Sequence, residues 1–207
     1  MNPPISNSKL NESKRTQILV GARAVFLETG YAAASMERIA KTAGVSKGTL
    51  YNYFVSKEEL FIALIEEECS KSKAPFNPPT EYSDTPPEVI LNLIGKEWLM
   101  GLADDNQRAF FRIVLAEVMQ FPELGRAIEK SGPEQAIANL SRYLAHLHEQ
   151  QLLEIANPHL AAEQFFALCD SGIVRKMQLS VAEPTLDTII SHTEQAVQLF
   201  IRAHRRT

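Results

Sequence analysis

Apolar residues recur along this chain at the three- and four-residue spacing of helix faces almost from end to end. Ile18, Leu19, Ala22, Val25 and Phe26 share one face of a first helix, over about 13–29. Leu60, Phe61, Leu64 and Ile65 do the same for a fourth. Ile90, Leu93, Ile94, Glu97, Trp98 and Gly101 line a fifth, ending about Leu102, and Phe110, Phe111, Val114, Leu115 and Val118 a sixth, over about 106–120. Phe121-Pro122 interrupts that pattern, and a short helix follows to Lys130. A seventh helix is expected over 131–153, an eighth over 158–178, and a ninth from Pro184 through Ile189, Ile190, Val197, Phe200 and Ile201. No run alternates apolar and polar over five or more positions, so strands are not expected. The pattern predicts an all-α fold of about nine helices.

The second and third helices lie in SMERIAKTAGVSKGTLYNYF, residues 35–54. Ser35 can cap the first of them, with Glu37 well placed against its positive end. Gly44 falls where a left-handed residue ends a helix cheaply. Ser46 caps the next helix, and Val45 can staple onto Leu50. Helix, glycine-containing turn, helix is the pattern of a helix-turn-helix. Leu50 and Phe54, one turn apart, face inward. Lys47, Gly48, Thr49, Tyr51, Asn52 and Tyr53 are left for the outer and lateral faces, a set suited to base edges and phosphate oxygens. A solvated helix pair in an ordinary bundle would read the same way at this level.

Three positions there carry a local cost. Gly48 gives up about 1 kcal/mol of helix propensity relative to alanine. Lys47 and Lys57 each stand at a first helical position, where the dipole disfavours a cation. An incoming phosphate would reverse that arithmetic. On this reading, removing Lys57 should lower the salt slope of DNA binding by roughly one.

Punctuation divides the chain. Residues 1–12 are polar with two prolines and read as a flexible arm, and 13–69 as the helix-turn-helix domain with the start of a connecting helix. From Ser70 to Pro87 five prolines interrupt any periodicity, which marks a linker opening a second domain over 70–207. Ser56-Lys57-Glu58-Glu59 and Thr85-Pro86-Pro87-Glu88 are capping boxes at the helices on either side.

The net charge of −4 does not suggest a nucleic-acid binder until its distribution is considered. Between Lys9 and Leu60 eight Lys/Arg stand against five Glu, a net +3 that leaves −7 for the rest. A mildly basic quarter on an acidic body suits a module that meets phosphate at one end, although so small an imbalance supports rather than decides. Two cysteines make no disulfide framework. The first residues lack the apolar core of a signal peptide and no run approaches 18 apolar residues, so a cytoplasmic protein without membrane partners is expected.

The residues also carry a resemblance. AxxxFxxxGY followed by SMxxIAxxAGVSKGTLYxYFxSKExLF, within Ile18–Leu64, resembles the N-terminal domain of TetR-family transcriptional regulators. FPELGRAIEKSGPEQAIANLSRYL and NPHLAAEQFF are similar, less densely, to the C-terminal domain of the AefR-like subgroup. The resemblance implies a homodimer that places its third helices in successive major grooves of a pseudo-palindromic operator. Carried over by position, Thr49, Tyr51 and Asn52 fall among base- and phosphate-reading residues, Tyr53 and Lys57 among phosphate-binding ones, and Ser35 and Lys47 flank them. It further implies a cavity between the fifth and eighth helices for a small hydrophobic or aromatic effector, the protein being a repressor that the effector releases. Trp98, Phe111, Phe165 and Cys169 are the expected wall residues, with Glu97 or Arg112 as a polar anchor, although such residues at helical spacing also serve as plain core. The eighth and ninth helices are the expected dimer seam, unless their apolar faces are intrachain core. A DNA-binding protein answering to a protein partner is the alternative.

No enzyme or cofactor is expected. There is no Gly-x-Ser-x-Gly elbow, phosphate loop or Cys/His nucleophile context. His146 and His148, two apart on a helix, point to different faces, and His159, His192 and His204 lie at no metal-ligand spacing.

Overall fold

The structure is a computed structural model that describes residues 7–71 and 85–206. Among these residues the chain is all-α: α1 Asn7–Ala33, α2 Met36–Thr42, α3 Lys47–Tyr53, α4 Lys57–Lys71, α5 Pro87–Ala103 and α6 Asp105–Glu117. There follow α7 Pro122–Ser131, α8 Pro133–Glu149, α9 Pro158–Asp170, α10 Ile173–Gln178 and α11 Leu186–Ala203. Residues 1–6 of the expected arm and most of the proline-rich stretch lie outside the described residues, whereas 7–12, expected to be flexible, open α1.

Local chemistry sets the ends. Ser35 Oγ accepts the Arg38 N–H at 3.2 Å and Asn157 Oδ1 accepts the Leu160 N–H at 3.1 Å, each closing a helix start. At α4, Ser56 Oγ accepts from the Glu59 N–H at 3.1 Å while Glu59 Oε2 accepts from the Val55 N–H at 2.7 Å, the reciprocal box expected there. At α5 the cap position is not Thr85. That helix begins at Pro87 with Pro86 as cap and no side-chain cap bond. The expected eighth helix is two helices, α9 and α10, because Gly172 takes φ 78° and breaks the ladder.

The helices form two compact units. In the first, residues up to Cys69 join Ala109–Ile128. Its core holds Ile18, Phe26, Ile39, Leu50, Leu60 and Phe61, with Phe110, Val114 and Leu124 from α6 and α7. Tyr31, just past the kink at Gly30, sits among Phe26, Phe61 and Phe121 at ring distances of 5.8, 4.8 and 4.9 Å. The second unit comprises Ser70–Arg108 and the chain from Glu129 onward, the divisions falling inside α4, α6 and α7. There α8 packs on α9 and α5 on α11, around Leu91, Leu140, Phe165 and Phe200. No described helix is long and apolar enough to cross a membrane.

Candidate nucleic-acid interface

The helix-turn-helix is held by its backbone and by one close approach. Gly44, at φ 65°, turns the chain after α2, and the Val45 N–H reaches back to the Ala40 carbonyl at 3.0 Å. Across the packing, a Cβ on Gly21 would stand 2.6–2.8 Å from Cβ, Cα and N of Ala43, so only glycine lets α1 lie this close to the end of α2. Gln17 Nε2 then donates to the Ala43 carbonyl at 2.6 Å. Leu50 and Phe54 are buried in the same core as Ile39. That burial fixes which side of α3 looks outward.

The outward side carries Lys47, Gly48, Tyr51 and Asn52, all exposed. Residues 48, 51 and 52 are helical neighbours at three- and four-residue spacing, so they form one contiguous face. Thr49 is half-buried and its hydroxyl is 2.8 Å from Ser46 Oγ, inside the cap of α3. Tyr53 lies half-buried on the flank, against the core. Ser35 is exposed and bound into the cap of α2. A Cβ built on Gly48 would touch only Ser46 Oγ, at 3.9 Å. Nothing inside this unit therefore requires glycine at that position.

Both lysines that carry a dipole penalty have it offset within the chain. Lys47 Nζ donates to Glu37 Oε1 at 2.5 Å, which lowers the pKa of Glu37 and raises that of Lys47, in each case chiefly through that hydrogen bond. Lys57 Nζ donates to the carbonyls of Tyr31, Ala32 and Ala34 at 2.8, 3.1 and 3.1 Å and lies 4.5 Å from the Tyr31 ring centre. An ammonium has three protons to give, so in this arrangement Lys57 has none left for a phosphate. Partial burial holds its pKa below the ordinary lysine value. Glu117 Oε1 accepts the Ala32 N–H at 3.1 Å, so the turn between α1 and α2 is gripped from α4 and from α6. Sequence spacing could not show these partners, which lie 10, 23–26 and 85 residues away.

Three of the four expected wall residues, Trp98, Phe165 and Cys169, share one core cluster. Phe111 belongs to the first unit and is half-buried on α6, while Trp98, Phe165 and Cys169 belong to the second. Phe165 and Cys169 are fully buried, and burial pushes the Cys169 thiol up to about 12, which leaves it unreactive. Trp98 packs on Phe166 with ring centres 4.6 Å apart and planes tilted by 43°, and donates its indole N–H to Asp170 Oδ1 at 2.7 Å. A Cβ on Gly95 would meet Thr193 Cγ2 at 2.7 Å and Cys169 Sγ at 3.0 Å, so the core is closed at this point. Glu97 is half-buried on α5. Arg112 is exposed and lines an open cleft of about 370 Å³ with Leu27, Gly30, Ile113 and Glu117 in the first unit.

Residues 18–64 match the family model described as "Bacterial regulatory proteins, tetR family", and residues 90–206 match "AefR-like transcriptional repressor, C-terminal domain". The chain is 30% identical over 177 residues to the HTH-type transcriptional regulator UidR of Escherichia coli (strain K12), covering 74% of this chain and 87% of that one. Over 69 residues it is 41% identical to the HTH-type transcriptional repressor AcnR of Corynebacterium diphtheriae, 33% of this chain and 36% of that protein. Among solved structures it is similar to the Flavonoid-responsive Regulator FrrA, with a TM-score of 0.83 and 33% identity across 94% of this chain and 98% of that one.

Proposed function

This chain belongs to the TetR family of DNA-binding transcriptional regulators, and from that premise we propose that it is a repressor released from a pseudo-palindromic operator by a small hydrophobic or aromatic effector. The observation that carries the DNA-reading half is α3 itself. Lys47, Gly48, Tyr51 and Asn52 share a solvent face while Leu50 and Phe54 lock the helix from behind. Residues 13–69 read DNA on this view, with Ser35, Thr49 and Tyr53 flanking the reading face, and residues 70–207 sense and dimerise. Lys57 steadies the turn behind that face, and reaches a phosphate only by leaving its carbonyls. Two copies, paired through α9 to α11 in the cytoplasm, would set their α3 helices about 34–36 Å apart to meet consecutive major grooves. The effector half is supported by the likeness to a regulator described as flavonoid-responsive. Trp98, Phe111, Phe165 and Cys169 are the residues through which an effector would be felt, and Phe165 and Cys169 would have to part to admit it.

Selecting duplexes from a random pool with the full chain gives the operator, and two half-sites about one helical turn apart are expected. Changing Asn52 should alter the half-site preferred without abolishing binding. A panel of flavonoids and simple aromatic acids, titrated against the protein–operator complex, should contain a compound that releases the DNA. Failure of every compound would favour the second reading, control by a protein partner, which the closed packing at Gly95, Cys169 and Thr193 already recommends.

A further inference from the structure

Two cations beside the reading helix are each paired with a carboxylate inside the chain. Lys47 on α3 is held by Glu37 of α2 at 2.5 Å, and Arg38 on α2 is held by Glu28 of α1 at 2.6 Å. In both pairs the carboxylate is the more exposed partner: 72% against 58% for Glu37 and Lys47, and 67% against 44% for Glu28 and Arg38. Each cation can thus meet a phosphate only in competition with a carboxylate that is itself solvent-exposed. Glu37 is anchored where a carboxylate is favoured, in the first turn of α2, so it has reason to stay.

We propose that Glu37 is a specificity-determining residue that withholds Lys47 from duplexes other than the operator. This rests on the DNA-reading role of α3. On non-cognate DNA the protein is held by phosphates alone, at variable register and across water. A passing phosphate at no fixed geometry must then compete with Glu37, and Lys47 stays with its carboxylate. On the operator, base contacts seat α3 in the groove and bring one phosphate up to Lys47 at fixed geometry. The ammonium then exchanges Glu37 for the phosphate. Lys47 therefore counts toward operator affinity and is silent elsewhere, which widens the gap between the two without any further base contact.

The test compares full-length wild type, Glu37→Gln, Lys47→Gln and the double variant on two duplexes, one of random sequence and one selected from a random pool by the wild type. Affinities are measured between 50 and 200 mM salt. Each phosphate gained steepens the log–log salt slope by about 0.9. Glu37→Gln should steepen the slope on random DNA by about that amount per bound subunit, and leave the slope on the selected duplex unchanged. Raising salt from 50 to 200 mM would then cost the variant about 3.5-fold more affinity for random DNA, per bound subunit, than it costs wild type. Lys47→Gln should do the opposite, flattening the slope on the selected duplex and leaving random DNA alone. The double variant should match Lys47→Gln. An equal change on both duplexes would mean that Glu37 acts only through net charge and would overturn the proposal. So would an unchanged slope on random DNA, or a double variant that still steepens. If wild type selects no duplex at all, the DNA-reading role itself fails, and that outcome is distinct from the others.

Discussion

At the scale of the residue, a penalty visible in the sequence is not yet evidence of a ligand. Lys47 and Lys57 stand where a helix dipole disfavours a cation, and that much was legible. The structure supplies Glu37 for one and three carbonyls at the end of α1 for the other. Gly48 is different, because apart from its chain neighbours and its own helix backbone no atom comes closer than 3.9 Å to where a Cβ would stand. Gly48→Ala should therefore stabilise the fold by about 0.5–1 kcal/mol in urea titrations, through helix propensity alone. The same variant should bind the selected operator several-fold more weakly, because the methyl group would lie between helix and groove wall. Stabilisation with undiminished binding would show that the backbone of α3 does not approach DNA there. Lys57→Ala should lose about 1–2 kcal/mol of stability, the value of charge-assisted hydrogen bonds at a half-exposed site. Its salt slope should equal that of wild type, and a slope flatter by about 0.9 would put the ammonium on a phosphate after all.

At the scale of the element, what could be read was whatever is local. The caps at Ser35, Ser46, Ser56 and Asn157 and the turn at Gly44 each depend on residues within four positions, and each is in place. The break at Ser171-Gly172 was missed because the apolar period runs on through Ile173 and Met177, both buried, while one glycine at φ 78° redirects the axis. Closeness between helices was not legible at all. Gly21 lies on the buried face of α1 as any small residue could, and only the packing shows Ala43 filling the space of its missing Cβ. The clashing atoms include backbone, which cannot swing aside as a flexible side chain would. Gly21→Ala should thus cost about 1–3 kcal/mol. Since α2 would have to move relative to α1, it should also weaken operator binding by more than a surface substitution does. Urea unfolding beside a DNA titration checks both. A variant as stable as wild type would mean that the two helices part freely.

At the scale of the whole molecule, the two family likenesses were legible, but the return of Ala109–Ile128 to the first unit and the inside of the second unit were not. Aromatic residues on α5 and α9 suggested a wall, but periodicity cannot distinguish a wall from a core, and here Phe165 and Cys169 are core. The more telling feature is polar. Asp170 closes α9, accepts the Trp98 indole N–H at 2.7 Å, and lies beside His192, whose Nε2 is 2.9 Å from the Cys169 carbonyl oxygen. Burial raises the Asp170 pKa, and the Trp98 hydrogen bond and the His192 charge only partly oppose it. A carboxyl whose pKa is higher in the folded than in the unfolded state favours folding when protonated. That contribution is complete below the ordinary aspartate value of about 3.9 and is lost as pH rises through the folded value. At neutral pH the ionised carboxylate is therefore a net cost relative to a neutral group of the same shape. Asp170→Asn keeps an oxygen for the indole N–H while removing the charge, so at pH 7 it should be at least as stable as wild type. The difference should shrink as pH falls into the range where aspartate protonates. Urea midpoints from pH 7 down to pH 4 would follow the trend. If the asparagine variant is the weaker protein at pH 7 and recovers in acid, the charged hydrogen bond from Trp98 outweighs the desolvation of Asp170, and the half-buried pair holds α5 to α9 by its charge.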